Sequence, residues 1–290
     1  MTIQRELLAS CWTWAGDTGP MELEQRSPIA LPQRIAAVAA AGWDGVGLSH
    51  ADVVDYRDTI GLPRVKEMLD GAGIRRVELE FLTDWWADGD RRVLADRMRD
   101  DLFEAAAHLG STVVKVGAIN ATGEPTPELG VLAAGYHELA ERAAGFGLDV
   151  ALEALGGHHV SSLAGSIELV RAADHPHGGL VADVYHCANA GEDDFTRLPE
   201  WLAGVPVMIV ELGDARLLPD GSVGPRCLPG QGDLDVSGFV AGMWQAGWRG
   251  HWGVEIISDE LRVLPIEQGV DVVRRGTLGI LDRADLLLQG

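Results

Sequence analysis

Eight short apolar runs, each separated from the next by a longer stretch of mixed polarity, constrain this chain more than any other feature. The runs are ELLASCW, GVGLSH, RRVELEFL, TVVKVG, DVALEAL, GLVADVY, PVMIVEL and HWGVEII, all rich in Val, Ile, Leu and aromatic residues, as buried strands are. Between most of them apolar residues recur at three- and four-residue spacing, which predicts helices. ALPQRIAAVAAAG, DRRVLADRMRDDLFEAAAHLG and ELGVLAAGYHELAERAAGFG end on Gly42, Gly110 and Gly147, residues suited to the left-handed turn that closes a helix. About eight such units in 290 residues match the count and length of a single (β/α)8 TIM barrel, with 1–290 as one domain and right-handed crossovers. An open doubly wound sheet alternates in the same way, but it announces its nucleotide with G-x-G-x-x-G after the first strand. Here the first strand leads into TWAGDTGPMELEQRSP, which lacks that pattern, so the loop between Gly16 and Pro28 is expected to decorate a barrel mouth.

The overall balance narrows the partners. A hydrophobic content of 47% supports a large core, and no Ser/Gly/Pro-rich linker or charge block divides the chain. Lys and Arg total 23 against 44 Asp and Glu, a net charge of −21, which repels nucleic acid and anionic lipid surfaces. Cys11, Cys187 and Cys227 lack the spacing of a structural zinc site, and their odd number argues against a disulfide framework. MTIQRELLAS has no basic region followed by an apolar core, and no window holds the roughly 18 apolar residues of a membrane span. A cytoplasmic location is the expectation.

In a barrel the chemistry gathers where strands end, so polar residues late in apolar runs are informative together. Glu153 closes DVALE, Asp183 closes GLVAD, Glu211 closes PVMIVE and Glu255 closes HWGVE. One acid at a strand end is ordinarily a salt bridge or helix cap. Four in register converge on one point, and such close like charges need a counterion. The oxygen-rich set predicts a divalent cation, Mn²⁺ or Mg²⁺ first, then Co²⁺ or Zn²⁺. His186 follows Asp183 by three residues and can lean over the rim, where an imidazole moves a proton or binds a hydroxyl; the alternative is a loop histidine bonded to backbone. Arg226, before LPGQG, suits a carboxylate, an enolate oxygen or vicinal hydroxyls, unless it pairs with Asp214 or Asp233.

Lys115 interrupts TVVKVG, and if it points inward it must meet the carboxylates, where it can stabilise an oxyanion or donate a proton. Glu78 and Glu80 share a face under period-two alternation, and Glu80, nearer the strand end, is the candidate at the mouth. His50, His158 and His159 are further candidates for substrate contact. Trp12, Trp14, Trp85 and Trp86 fall near strand ends, where aromatic faces serve sugar rings or core packing alike; Trp14 is the one carried forward as a substrate contact.

WTWAGD, ADVYH, IVELGDA, RCLPGQGDLD and WGVEIIS resemble the xylose-isomerase-like TIM-barrel superfamily of sugar phosphate isomerases and epimerases, and the likeness covers nearly the whole chain. That superfamily includes tagatose 3-epimerase, inosose dehydratase and dehydroshikimate dehydratase. The resemblance implies that Glu153, Asp183, Glu211 and Glu255 hold the metal, although relatives more often carry His or Gln at the position of Glu211. It also implies substrate contacts by His186 and Arg226, and homo-oligomers among relatives.

The expected activity is a metal-dependent isomerase or epimerase acting on an unphosphorylated keto-sugar or cyclitol. Glu153 or Glu255 takes the proton with His186 assisting, and Lys115 or Arg226 stabilises the enediolate. The alternatives are a dehydratase or lyase, including a C-glycoside lyase that implies a small second subunit, and a catalytically silent sugar-binding or scaffold subunit.

Overall fold

The computed structural model describes residues 2–120 and 123–289. Its strands are β1 (Leu7–Ala9), β2 (Gly45–Ser49), β3 (Arg76–Leu82), β4 (Val113–Gly117), β5 (Asp149–Glu153), β6 (Gly178–Asp183), β7 (Val207–Leu212), β8 (Asp214–Leu217), β9 (Val223–Cys227) and β10 (Trp252–Val254). Eight of them close a barrel in the order β1-β10-β7-β6-β5-β4-β3-β2, with every neighbouring pair parallel. Seven barrel strands lie within the apolar runs and β6 starts one residue ahead of its own, so the chain is the (β/α)8 barrel that its alternation predicts. Among the described residues no helix is long and apolar enough to cross a membrane.

The helices form where apolar spacing and turn residues agree. Leu31–Ala41 and Gly89–Leu109 each end on a left-handed glycine, Gly42 and Gly110. Leu129–Ala144 departs slightly from expectation: its C-cap is Gly145 in right-handed geometry, and Gly147 takes the positive φ of 70° two residues later. The larger difference is β8 and β9, an antiparallel hairpin between β7 and β10. Its strands are four and five residues long and only partly buried, so they lack the apolar signature of the barrel strands.

Period-two alternation explains where the polar groups go. Val113, Ala151, Val181 and Ile209, from β4 to β7, form an apolar cluster separate from the main core. Residues two positions further on face the same way and lie one step nearer the carboxyl rim. They are Lys115, Glu153, Asp183 and Glu211, all buried. The outward faces of the strands pack with the helices into the main core.

A second polar cluster fixes the mouth loop. Arg34, fully buried, donates to Asp52 Oδ2 at 2.6 Å, to the Tyr56 hydroxyl at 2.7 Å and to the Trp14 carbonyl at 3.0 Å. Asp52 Oδ1 in turn accepts from the Ser27 N–H at 2.9 Å. The loop is thereby held across the barrel mouth, where Pro20, Met21 and Gln25 line the cavity.

Candidate active site

Asp183 ends β6 and caps the short helix Val184–Asn189. Its Oδ1 accepts from the N–H groups of Tyr185 at 2.6 Å and His186 at 3.3 Å, so this oxygen starts the helix. Oδ2 is buried without a hydrogen-bond partner, its nearest cation being the Arg226 guanidinium at 3.6 Å. The helical turn brings His186 back over the rim, with Nε2 3.7 Å from Glu153 Oε1 and 3.9 Å from Asp183 Oδ2.

Glu153, Asp183, His186 and Glu255 each offer a ligand atom, and these atoms lie within 4.8 Å of one another. Glu153 Oε1, Asp183 Oδ2 and His186 Nδ1 are buried and unpartnered. Orphaned polar atoms in a crowded acidic cluster are unstable without a compensating charge, and three carboxylates with one imidazole fit a divalent cation.

The electrostatics are uneven across this group. Burial pushes the Glu153 carboxyl well above its ordinary range against the opposing charge of Lys115, and the neighbouring Glu211, Glu255 and Asp183 add to the rise. Burial also works against ionised Glu255, but Arg226 and Lys115 overcome it and hold that carboxyl below its usual range. Arg226 reaches the site from β9, with Nη2 2.8 Å from Glu255 Oε2 and Nη1 donating to the Glu255 carbonyl at 2.9 Å. Its guanidinium stacks 4.1 Å from the centre of the Tyr185 ring. Burial, with Arg226 adding to it, lowers the His186 pKa and favours a neutral ring.

Several candidates sit elsewhere than expected. Glu211, expected as a metal ligand, turns to Lys115 instead: Nζ is 2.8 Å from both Glu211 oxygens, and Ser10 Oγ donates to Oε1 at 2.6 Å. Lys115 does meet the carboxylates, as expected of an inward lysine: it is fully buried and also lies 2.9 Å from Glu80 Oε2 and 3.7 Å from Glu255 Oε1. Trp14 is buried under the Arg34 guanidinium and donates to the Gly47 carbonyl, so packing rather than substrate contact accounts for it. His50 starts the helix His50–Thr59 and pairs with Asp101 at 2.9 Å, outside the cavity lining.

Asp214 does not pair with Arg226; its Oδ2 accepts from the N–H groups of Gly230 and Gly232 at 2.8 and 3.0 Å and pins the loop. His159 is buried against Trp86. Glu80, His158 and Trp12 do line the cavity, as do Glu153, His186, Arg226 and Glu255. Ser10 and Tyr185 were missed as site residues. Ser10 follows Leu8 by two positions in the first apolar run, and the alternation that exposes Glu153 would have found it.

The cavity over this group measures about 1170 Å³, ample for a sugar or cyclitol. One wall is Phe81, whose ring fills the space above Gly117: a Cβ there would stand 2.3 Å from Phe81 Cζ. Gly117→Ala is therefore expected to force that ring toward the cavity and cost about 1–3 kcal/mol of stability. Urea denaturation checks the cost, and a raised KM checks the displaced wall.

A closed parallel barrel whose carboxyl rim gathers three carboxylates and an imidazole defines a (β/α)8 protein with a site of the kind that holds a divalent cation. The chain belongs to the xylose isomerase-like TIM barrel family, whose model matches residues 35–276.

Among curated proteins it is similar to two 3-dehydroshikimate dehydratases. One, from Pseudomonas putida, is 31% identical over 89% of this chain and 41% of its own length. The other, from Pseudomonas aeruginosa, is 33% identical over 81% of this chain and 37% of its own length. The chain thus spans less than half of these relatives. A solved xylose isomerase-like TIM barrel/4-hydroxyphenylpyruvate dioxygenase fusion protein matches 99% of this chain and 44% of its own, at 26% identity and TM-score 0.80. The crystal structure of IOLI protein with a binding zinc atom shares the fold, at 18% identity and TM-score 0.79 over 96% of this chain and 98% of that one. Other matches are named as an inosose isomerase and as sugar 3-epimerases. The family members matched are thus dehydratases, isomerases and epimerases.

Proposed function

We propose that the chain catalyses β-elimination of water from a cyclic hydroxy-ketone, the reaction class named in its dehydratase relatives. The observation that carries this reading is the difference between Glu153 and Glu255. Glu153 keeps a buried oxygen without a partner, whereas Arg226 holds Glu255 at 2.8 Å. Epimerisation, in which a proton leaves one face and another arrives on the opposite face, calls for two free acid–base groups. Elimination needs one. The identities above 30% to dehydratases also favour elimination over the isomerase or epimerase expectation, since the epimerase structures, at 18% identity or less, support the fold alone.

Glu153, Asp183, His186 and Glu255 would hold the cation, with Mn²⁺ or Mg²⁺ favoured by the carboxylates and Zn²⁺ or Co²⁺ admitted by the imidazole. A divalent ion there supplies Lewis acidity toward a carbonyl and its neighbouring oxygen. The chain's own groups do the rest. Glu153, whose raised carboxyl would be ionised by a neighbouring divalent charge, removes the proton from the carbon beside the ketone, and the C–H electron pair becomes the new C=C bond as the β C–O bond breaks. The proton on Glu153 passes to the departing hydroxyl, so one water leaves and the carboxylate is restored. Arg226 and neutral His186 orient the substrate's oxygens, and the mouth loop limits water.

The test is mass spectrometry of Mn²⁺-loaded protein in deuterated water with 3-dehydroshikimate and a panel of keto-inositols. Elimination is expected to yield a product lighter by one water. Deuterium uptake at unchanged composition, with no water lost from any substrate, would overturn the reading in favour of epimerisation.

A further inference from the structure

The geometry points to Lys115 as the residue that keeps Glu211 out of the cation's ligand set, leaving three carboxylates and one imidazole instead of four carboxylates. The inference rests on the cation site proposed above and goes on to how this chain sets its affinity. By backbone position Glu211 is equivalent to the ligands: it pairs in register with Asp183 and belongs to the same inward layer as Glu153. Its side chain is what differs.

The ammonium of Lys115 has three protons, and three carboxylate oxygens surround it: Glu211 Oε1 and Oε2 at 2.8 Å and Glu80 Oε2 at 2.9 Å. Glu211 Oε1 also takes the Ser10 hydroxyl, and Glu80 Oε1 accepts from the Cys11 N–H at 3.3 Å. This half of the acidic cluster is satisfied by a cation attached to the chain. The other half has Arg226, 2.8 Å from Glu255 Oε2 and 3.6 Å from Asp183 Oδ2, and still leaves Glu153 Oε1, Asp183 Oδ2 and His186 Nδ1 without a hydrogen-bond partner. Glu211 cannot turn to a metal without taking from a fully buried ammonium one of its two close carboxylate partners and leaving Glu80 alone within 3 Å of it, a loss that burial makes costly. Lys115 is thus a positioning residue, and Glu255, 3.7 Å from its Nζ, lies between the two halves.

Titration of the full chain with Mn²⁺, read by calorimetry and by loss of the free-ion paramagnetic resonance signal, tests this without any substrate. Glu211→Gln keeps one acceptor oxygen for Lys115 and Ser10, with Glu80 still beside the ammonium, and is expected to leave the Kd within about threefold, whereas Asp183→Asn weakens it by at least about tenfold. Lys115→Met releases Glu211 and is expected to tighten binding by at least about tenfold, with Lys115→Met/Glu211→Gln returning it to within about threefold of the parent. A Glu211→Gln loss as large as that of Asp183→Asn would overturn the assignment, and so would unchanged or weaker binding by folded Lys115→Met. If Lys115→Met does not fold, the Glu211 and Asp183 comparison decides alone. A parent chain that binds no Mn²⁺ overturns the cation site itself, whereas binding with the wrong Glu211 response overturns only the role of Lys115.

Discussion

Replacing Glu153 with Gln is expected to lower turnover of the hydroxy-ketone by about 10³-fold at saturating Mn²⁺, within the usual range for loss of a general base. The amide keeps the size of the side chain and one oxygen donor, so the cavity and much of the cation affinity persist. The oxygen lost is the group available for proton abstraction, since Glu255 is already engaged by Arg226. Uptake of solvent deuterium at the carbon beside the ketone should fall in parallel. Steady-state rates and exchange measured on the same preparation check the result, and turnover within about tenfold of the parent would remove Glu153 from the role of base.

The largest expected loss of stability lies away from the chemistry. Arg34→Leu strips the partner from Asp52, whose side chain is 4% exposed, and leaves the Trp14 carbonyl and the Tyr56 hydroxyl without their donor. Breaking a buried pair from one side costs about 3–5 kcal/mol because the remaining charge has no solvent to turn to. Urea denaturation should show this drop. Arg34→Leu/Asp52→Asn should recover part of it, since the residual partner is then neutral, and a double variant that is no more stable than Arg34→Leu would contradict the electrostatic account. The Asp52 bond to Ser27 is lost or loosened with the pair, so the mouth loop should become more open to protease before the barrel unfolds.

The barrel was legible because every strand carries its own apolar run and most helices their own periodicity. Two residues of alternation also fixed the inward layer, so Glu153 and Asp183 could be placed by counting from Ala151 and Val181. Glu211 shows the limit of that count. Position in a strand determines which way a side chain leaves the backbone, but the partner it takes depends on residues distant in sequence, here Lys115 and Ser10. Trp14 was misplaced for the same reason: its proximity to a strand end says nothing of Arg34, which lies in the first helix and covers its ring. The β8–β9 hairpin left no signal because half-exposed strands with mixed residues read as loop.

The hairpin stands apart from the barrel that it serves. Arg226 is delivered by a ribbon whose hydrogen bonds lie outside the barrel's closed ladder, and whose base is tied down locally by Asp214. Residues 214–227 therefore form a detachable arm: a change of side chain at position 226 alters what the mouth presents without breaking any hydrogen bond of the eight-stranded ladder that carries the rim of acids.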